Sequence, residues 1–292
     1  MKATAFAFER PGTVQQALAS KRAWGGAARF LAGGQSLVPA INMRFNQPEC
    51  LIDLNGIDDL RGIRLDGGEL RIGALARHAE VAGSELVQRN VPLLVQAGRH
   101  LAHVAIRNRG TFGGSVALAD PAAEWPAACL LLGARMRILG EQGAREMPAE
   151  RFFQGLYMTD LGEDELLESV VIPVQAAGEK SCVLELARRQ GDYASAAVMA
   201  RGRAEGGGLR GLRLAFFAVA DRPVLDPALD ASVERAVQAG SLAEVPAIVQ
   251  QAMAAHPVRA DLYNAARTKA YLCGVLARRA VVQLIGAGAE DE

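Results

Sequence analysis

The chain has 292 residues, half of them hydrophobic and 22% charged, and its 32 Lys and Arg balance 32 Asp and Glu to a formal net charge of zero. That length can bury a substantial core, in one large domain or in two to three modest ones. A neutral balance without any run of Lys or Arg offers no electrostatic footprint for nucleic acid or an anionic membrane.

In chain order, "MKATAFAFERPGTV" is too short and too broken by charge for a signal segment or a membrane span, so the expected address is cytoplasmic. Thr13 is placed to cap a helix over "VQQALAS", and "ARFLAGG" reads as a short strand running into a glycine loop. Ser36 can cap the segment "LVPAINMRF", and "CLIDL" is a second apolar strand ending at the Asn55-Gly56 turn signal. "RGIRLDGGELRIGAL" alternates around Asp66-Gly67-Gly68 and predicts a β-hairpin. A helical stretch from Ala79 to His103, broken near Pro92, leads into "RNRGTFGGSVALADPAAEWPA".

Beyond that motif, "AACLLLGARMRILG" passes from helix to strand and "EDELLESVVIPV" holds a strand closed by Pro173. "VQAAGEKS" is the best linker. Three strand-like runs follow from Ser181, the last two joined at Gly206-Gly207-Gly208, and the Ala-rich remainder from Pro227 is helical by spacing. A sheet followed by helices predicts a separate α+β domain. Cys50, Cys129, Cys182 and Cys273 stand apart, without a C-x-x-C pair or a His at metal spacing, and read as small buried hydrophobes rather than ligands.

Two loops share a design: "AGGQS" at Ala32–Ser36 and "TFGGS" at Thr111–Ser115. Adjacent glycines permit positive φ and remove Cβ atoms, so consecutive N–H groups can converge on an anion, and two such nests suit a pyrophosphate. Ser36, Thr111 and Ser115 add hydroxyls, and a helix N-terminus behind either loop would add partial positive charge. Each Gly-Gly alone is explained as well by ordinary turn chemistry. Asp120 and Glu124, four apart, would share the first turn of a helix from residue 121, either complementing its dipole or accepting hydrogen bonds from sugar or polyol hydroxyls. Neither loop spells G-x-x-x-x-G-K-[ST] or G-x-G-x-x-G, which disfavours a P-loop nucleotidase and an ordinary Rossmann dehydrogenase.

Four segments, "FLAGGQSLVPAINMR", "IRNRGTFGGSVALADPAAEWPA", "GLYMTDLGEDELLESVVIP" and "ELARRQGDYA", resemble in order and spacing the medium, FAD-binding subunit of the molybdenum hydroxylases. The resemblance covers nearly the whole chain. It implies an α+β architecture: a two-subdomain FAD-binding fold of the PCMH type over residues 1–57 and 58–175, then a C-terminal domain, 178–292, with a three-stranded antiparallel sheet packed on helices. It also implies that Ala32, Gly33, Gly34, Gln35 and Ser36, with Thr111, Gly113, Gly114 and Ser115, hold the FAD pyrophosphate largely through backbone N–H groups. Glu124 falls where the family has a carboxylate at the flavin's polyol, with Asp120 a second candidate. Leu161 matches a position whose backbone lies near the isoalloxazine, and Tyr193 one that can sit against the ring.

Two departures stand out. Ser115 replaces a common Asn, and Glu185 occupies a position where some members have Lys. A carboxylate near the ring would oppose added negative charge; an exposed strand-edge carboxylate is the plainer reading of Glu185. Arg188 and Arg189 suit either a free surface or a neighbouring subunit.

By the same resemblance, this chain carries non-covalent FAD and passes electrons onward, with no catalytic side chain of its own for substrate turnover. His78, His100, His103 and His256 form no recognisable flavin-attachment motif. The molybdenum–pterin centre would belong to a large partner subunit and two [2Fe–2S] clusters to a small one, in a dimer of heterotrimers. A stand-alone FAD oxidoreductase and a scaffold that has lost flavin are the alternatives. The substrate, whether an N-heteroaromatic ring, carbon monoxide or an aldehyde, would bind elsewhere.

Overall fold

The computed structural model describes residues 2–286. Its first unit contains β1 (Ala7–Glu9), α1 (Val14–Trp24), β2 (Ala28–Leu31), α2 (Leu37–Asn42) and β3 (Cys50–Asp53), with a parallel sheet in the order β1-β3-β2. All four residues of β3 are buried, as the central strand of a covered parallel sheet requires. Thr13 caps α1 as expected, its Oγ1 accepting from the Gln16 amide at 3.2 Å. Val14, Ala17 and Leu18 form the buried face of α1 and share a core with Cys50 and Ile52. The carboxyl end of β2 launches the first glycine loop.

The second unit is built on a five-stranded antiparallel sheet, ordered β4-β5-β10-β6-β7. Its strands are β4 (Ile63–Asp66), β5 (Glu69–Gly73), β6 (Arg135–Gly140), β7 (Gly143–Pro148) and β10 (Leu166–Pro173). The β4–β5 hairpin turns where the sequence predicts it, with Gly67 and Gly68 at φ +54° and +83°. The helical stretch before the second glycine loop is three helices rather than two: α3 (His78–Gly83), α4 (Glu85–Asn90) and α5 (Pro92–His100). Ser84 ends one and caps the next, its Oγ accepting from Val87 N, while Pro92 takes the first helical position, where its missing N–H costs nothing. Then come α6 (Val104–Arg107), α7 (Phe112–Leu118) and α8 (Glu124–Leu131). A short α9 (Ala149–Phe152) and the small pair β8 (Phe153–Gly155) and β9 (Met158–Thr159) precede β10.

The C-terminal sheet corrects the expectation of three strands. It has four, in the order β11 (Glu179–Leu186), β12 (Ala196–Glu205), β13 (Gly208–Phe217) and β14 (Val224–Leu225), and the last is a two-residue strand at the edge. Alternation along β12 and β13 divides the faces: Ala197, Met199, Ala215 and Phe217 join the core of the second unit, whereas Ala196, Val198, Leu214 and Phe216 face α10 (Pro227–Gln238), α11 (Val245–Met253) and α12 (Ala266–Ile285). On its other side lies α8, packed against α5, β12 and β13 and buried at every residue. Its apolar circumference suits a helix with no solvent face.

Among the described residues no helix is long and apolar enough to cross a membrane, and no cluster of His, Cys, Asp and Glu could hold a metal ion. All four cysteines are buried and free.

Candidate functional site

The two glycine loops line one cavity of about 570 Å³ between the first and second units. In the first loop, Gly34 has φ +73°, a conformation a side chain would strain. The backbone amides of Gly33, Gly34, Gln35 and Ser36 find no acceptor among the described residues, so four consecutive donors remain for an anion. Gln35 folds back, its Nε2 donating to Gly33 O at 3.1 Å. The expected cap by Ser36 is not made: its hydroxyl, on the cavity wall, bonds to no amide of α2 and has no partner among the described residues.

The second loop departs from the nest expected of it. Helix α7 begins at Phe112, so Gly113 and Gly114 lie inside its first turn with ordinary negative φ. The amides there are occupied. Phe112 N donates to Ala76 O (2.8 Å), Gly113 N to Ala74 O (2.9 Å), Gly114 N to the capping Thr111 Oγ1 (3.1 Å) and Ser115 N to Thr111 O (3.1 Å). Gly113 is instead required by close packing, because a Cβ there would fall 2.5 Å from Ala74 Cα. Gly33 is required the same way, its would-be Cβ lying 2.5 Å from Arg109 O and 2.7 Å from Gly110 Cα. The backbones of the two loops therefore touch.

A polar bridge fixes that contact. Asn55 Nδ2 donates to Ala32 O at 2.8 Å, while its Oδ1 accepts from Arg77 Nη2 at 2.6 Å. Arg77 Nη1 in turn donates to Arg109 O, and His78 N donates to Gly110 O at 3.1 Å. Burial, then the neighbouring Arg61 and Arg109, lower the pKa of Arg77. Sequence reasoning missed these residues. Asn55 registers there only as a turn former, and Arg77 and His78 belong to no motif.

Farther along the wall are the carboxylates. Asp120 and Glu124 are both nearly buried, at 8% and 9% exposure. The expectation that they share a helical turn fails: α8 starts at Glu124, and Asp120 sits in the preceding turn, its Oδ1 accepting from Ala122 N at 2.9 Å and its Oδ2 from the Tyr157 hydroxyl at 3.3 Å. Burial, followed by the nearby Asp120, raises the pKa of Glu124. Leu161 lines the cavity and Tyr193 stands at its mouth, 66% exposed.

Glu185 is the one expected site residue off the wall. It is not an exposed edge carboxylate either, since only 6% of its side chain is accessible. It points between β11 and α5, with Oε2 3.7 Å from His100 Nδ1 and Oε1 without a partner among the described residues. Burial, then Glu124, pushes its pKa up, and burial, then Arg99, pushes that of His100 down, so both changes favour the neutral forms.

This arrangement belongs to a defined class. Residues 4–175 match the family described as the FAD-binding domain in molybdopterin dehydrogenase, and the chain is a member of that family, an oxidoreductase subunit that carries FAD. The carbon monoxide dehydrogenase medium chain of Hydrogenophaga pseudoflava is 38% identical over 74% of this chain and 75% of its own length. Caffeine dehydrogenase subunit beta of Pseudomonas sp. (strain CBB1) is 36% identical over 79% of this chain and 78% of its own. Among solved structures, quinoline 2-oxidoreductase from Pseudomonas putida 86 superposes with a TM-score of 0.91 at 31% identity, covering 99% of this chain and 100% of that one.

The cavity's donor set fits the dinucleotide. Four free amides at one place meet the needs of a diphosphate, Asp120 and Glu124 those of hydroxyls, and an apolar stretch with Leu75, Leu161 and Leu166 those of an aromatic ring.

Proposed function

We propose that this chain is the electron-exit subunit of a molybdenum hydroxylase. It accepts electrons from the [2Fe–2S] clusters of a small partner subunit, holds them on FAD and delivers them to an external acceptor. A large subunit with the molybdenum–pterin centre performs the substrate chemistry, and two such heterotrimers pair. The division of the FAD-binding part into subdomains 1–57 and 58–175, followed by a domain over 178–292, goes with this reading.

The observation that carries it is the run of unpartnered amides at Gly33–Ser36, in a cavity whose other wall presents buried carboxylates, inside the stretch matched to an FAD-binding family. In this reading the Gly33–Ser36 amides hold the diphosphate, with the hydroxyls of Ser36 and Ser115 at hand. The Gly113-Gly114 turn of α7, whose Cβ positions face Ala74 and the capping Thr111, forms the part of the wall next to the diphosphate. Asp120 and Glu124 accept from the polyol hydroxyls. Leu161 and Tyr193 flank the ring, and Tyr193, standing at the mouth, limits solvent there. FAD supplies the capacity to take electrons singly and release them in pairs; the protein orients it and excludes water. No side chain of this chain acts as acid or base on the hydroxylated substrate.

The test is the visible spectrum of the purified chain, with identification of any flavin released by acid. Flavin bands near ~370 and ~450 nm, FAD in the supernatant and loss of binding in Gly34→Val are expected, because a side chain at positive φ distorts the loop. A folded chain that stays colourless after added FAD would overturn the reading, and oxidation of substrate by this chain alone would point to a stand-alone oxidoreductase.

A further inference from the structure

His78 forms no recognisable sequence motif, yet its surroundings define one chemical form and one direction of donation. It opens α3, is 5% exposed, and places Nδ1 2.9 Å from Trp125 Nε1. An indole nitrogen can only donate, so Nδ1 accepts, and the proton of the neutral imidazole must sit on Nε2. Burial, then the charges of Arg77 and Arg107, lower the ring's pKa to about 4, which keeps it neutral near pH 7. Trp125 is itself fully buried and stacked obliquely on Phe112, with centroids 5.0 Å apart, so the acceptor side of His78 is locked.

The other side is unpaired. Nε2 has no acceptor among the described residues and is not among the unpartnered nitrogens sealed from solvent, and His78 and its neighbour Gly110 both line the cavity. Only a glycine fits there, a Cβ on Gly110 falling 2.5 Å from Nε2. Gly110 is also the residue against which Gly33 packs. Two sets of unused donors, the Gly33–Ser36 amides from the first unit and His78 Nε2–H from the second, thus meet at the same glycine.

Resting on the FAD reading above, we propose that His78 donates from Nε2 to a diphosphate oxygen of the bound dinucleotide, with Trp125 as the positioning residue that fixes its tautomer. A neutral donor at this point strengthens the hold on the diphosphate without adding charge.

The test uses the full chain stripped of flavin, titrated with FAD and followed by flavin fluorescence, with 31P NMR of the bound cofactor. Replacing a hydrogen bond to a charged group should weaken FAD binding by about ten- to hundred-fold in His78→Phe, shift one of the two phosphorus signals and leave the flavin bands in place. His78→Gln, which returns an N–H near the Nε2 position, should recover most of the affinity. In the wild-type chain, 15N-labelled histidine should show the Nε2–H pattern and a change at that nitrogen on adding FAD.

Undiminished binding by His78→Phe, or a His78 Nε2 signal indifferent to FAD, overturns the inference while leaving the cofactor site intact. A change confined to the flavin bands also overturns it, placing the donation at the ring. Should His78→Phe fail to fold, the wild-type nitrogen spectrum alone decides. A wild-type chain that binds no FAD overturns the cofactor reading itself.

Discussion

The two Gly-Gly loops look alike in sequence and solve different problems. At Gly33-Gly34 the backbone keeps its amides free and one residue in the left-handed region, while at Gly113-Gly114 the backbone is helical and its amides are spent on Ala74 and Thr111. A glycine pair is therefore not by itself a ligand signature. What distinguishes the two is the fate of the N–H groups, which is settled by the chain packed behind each loop.

The largest effect that could break this contrast is at Gly113. Its Cβ would overlap Ala74 backbone, so Gly113→Ala should cost about 3 kcal/mol, at the upper end of overpacking penalties, read as a drop in denaturant midpoint. A variant of normal stability would remove the packing explanation. Gly34→Ala should cost only about 1–2 kcal/mol, the penalty of positive φ, since its Cβ contacts of 3.2 and 3.3 Å are with the side chains of Val38 and Leu31. Its FAD affinity should fall by more than its stability explains; equal losses would place the free amides outside the binding site.

Thr111→Ala removes a cap that is made and should cost about 1 kcal/mol in thermal or chemical melts. Ser36→Ala removes a hydroxyl that caps nothing and should change stability by no more than a few tenths of a kcal/mol, within the range of about ±0.5 for substitutions that break no contact. If the two cost the same, the contrast between the loops is wrong at their first helical turns.

Much of the fold is legible locally. The Gly67-Gly68 hairpin, the Thr13 cap and the long C-terminal helix declare themselves through turn chemistry, capping and three- and four-residue spacing. The misses share a cause. Strand β14 is two residues long and carries no periodic signal. The fate of the Gly113 amide is decided by a carbonyl at Ala74, and the partner of Asn55 is Arg77; neither separation leaves a pattern in a local window. Glu185 misleads because alternation implies a wet face, whereas the sheet of β11–β14 is covered on both sides, by α5 and α8 on one and α12 on the other. His78 is hidden for the same reason: its partner Trp125 is 47 residues away.

The bridge from Ala32 through Asn55 and Arg77 to Arg109 joins segments of two separate cores, and each of its hydrogen bonds runs between protein atoms. Its consequence lies in time. A cleft whose walls are already tied together spends little ordering free energy when it is filled, and it can be emptied quickly only if the tie is cut. Cofactor loss should therefore be slow and steeply temperature-dependent, and cutting the tie at Asn55 should shorten the cofactor's residence more than it slows its entry.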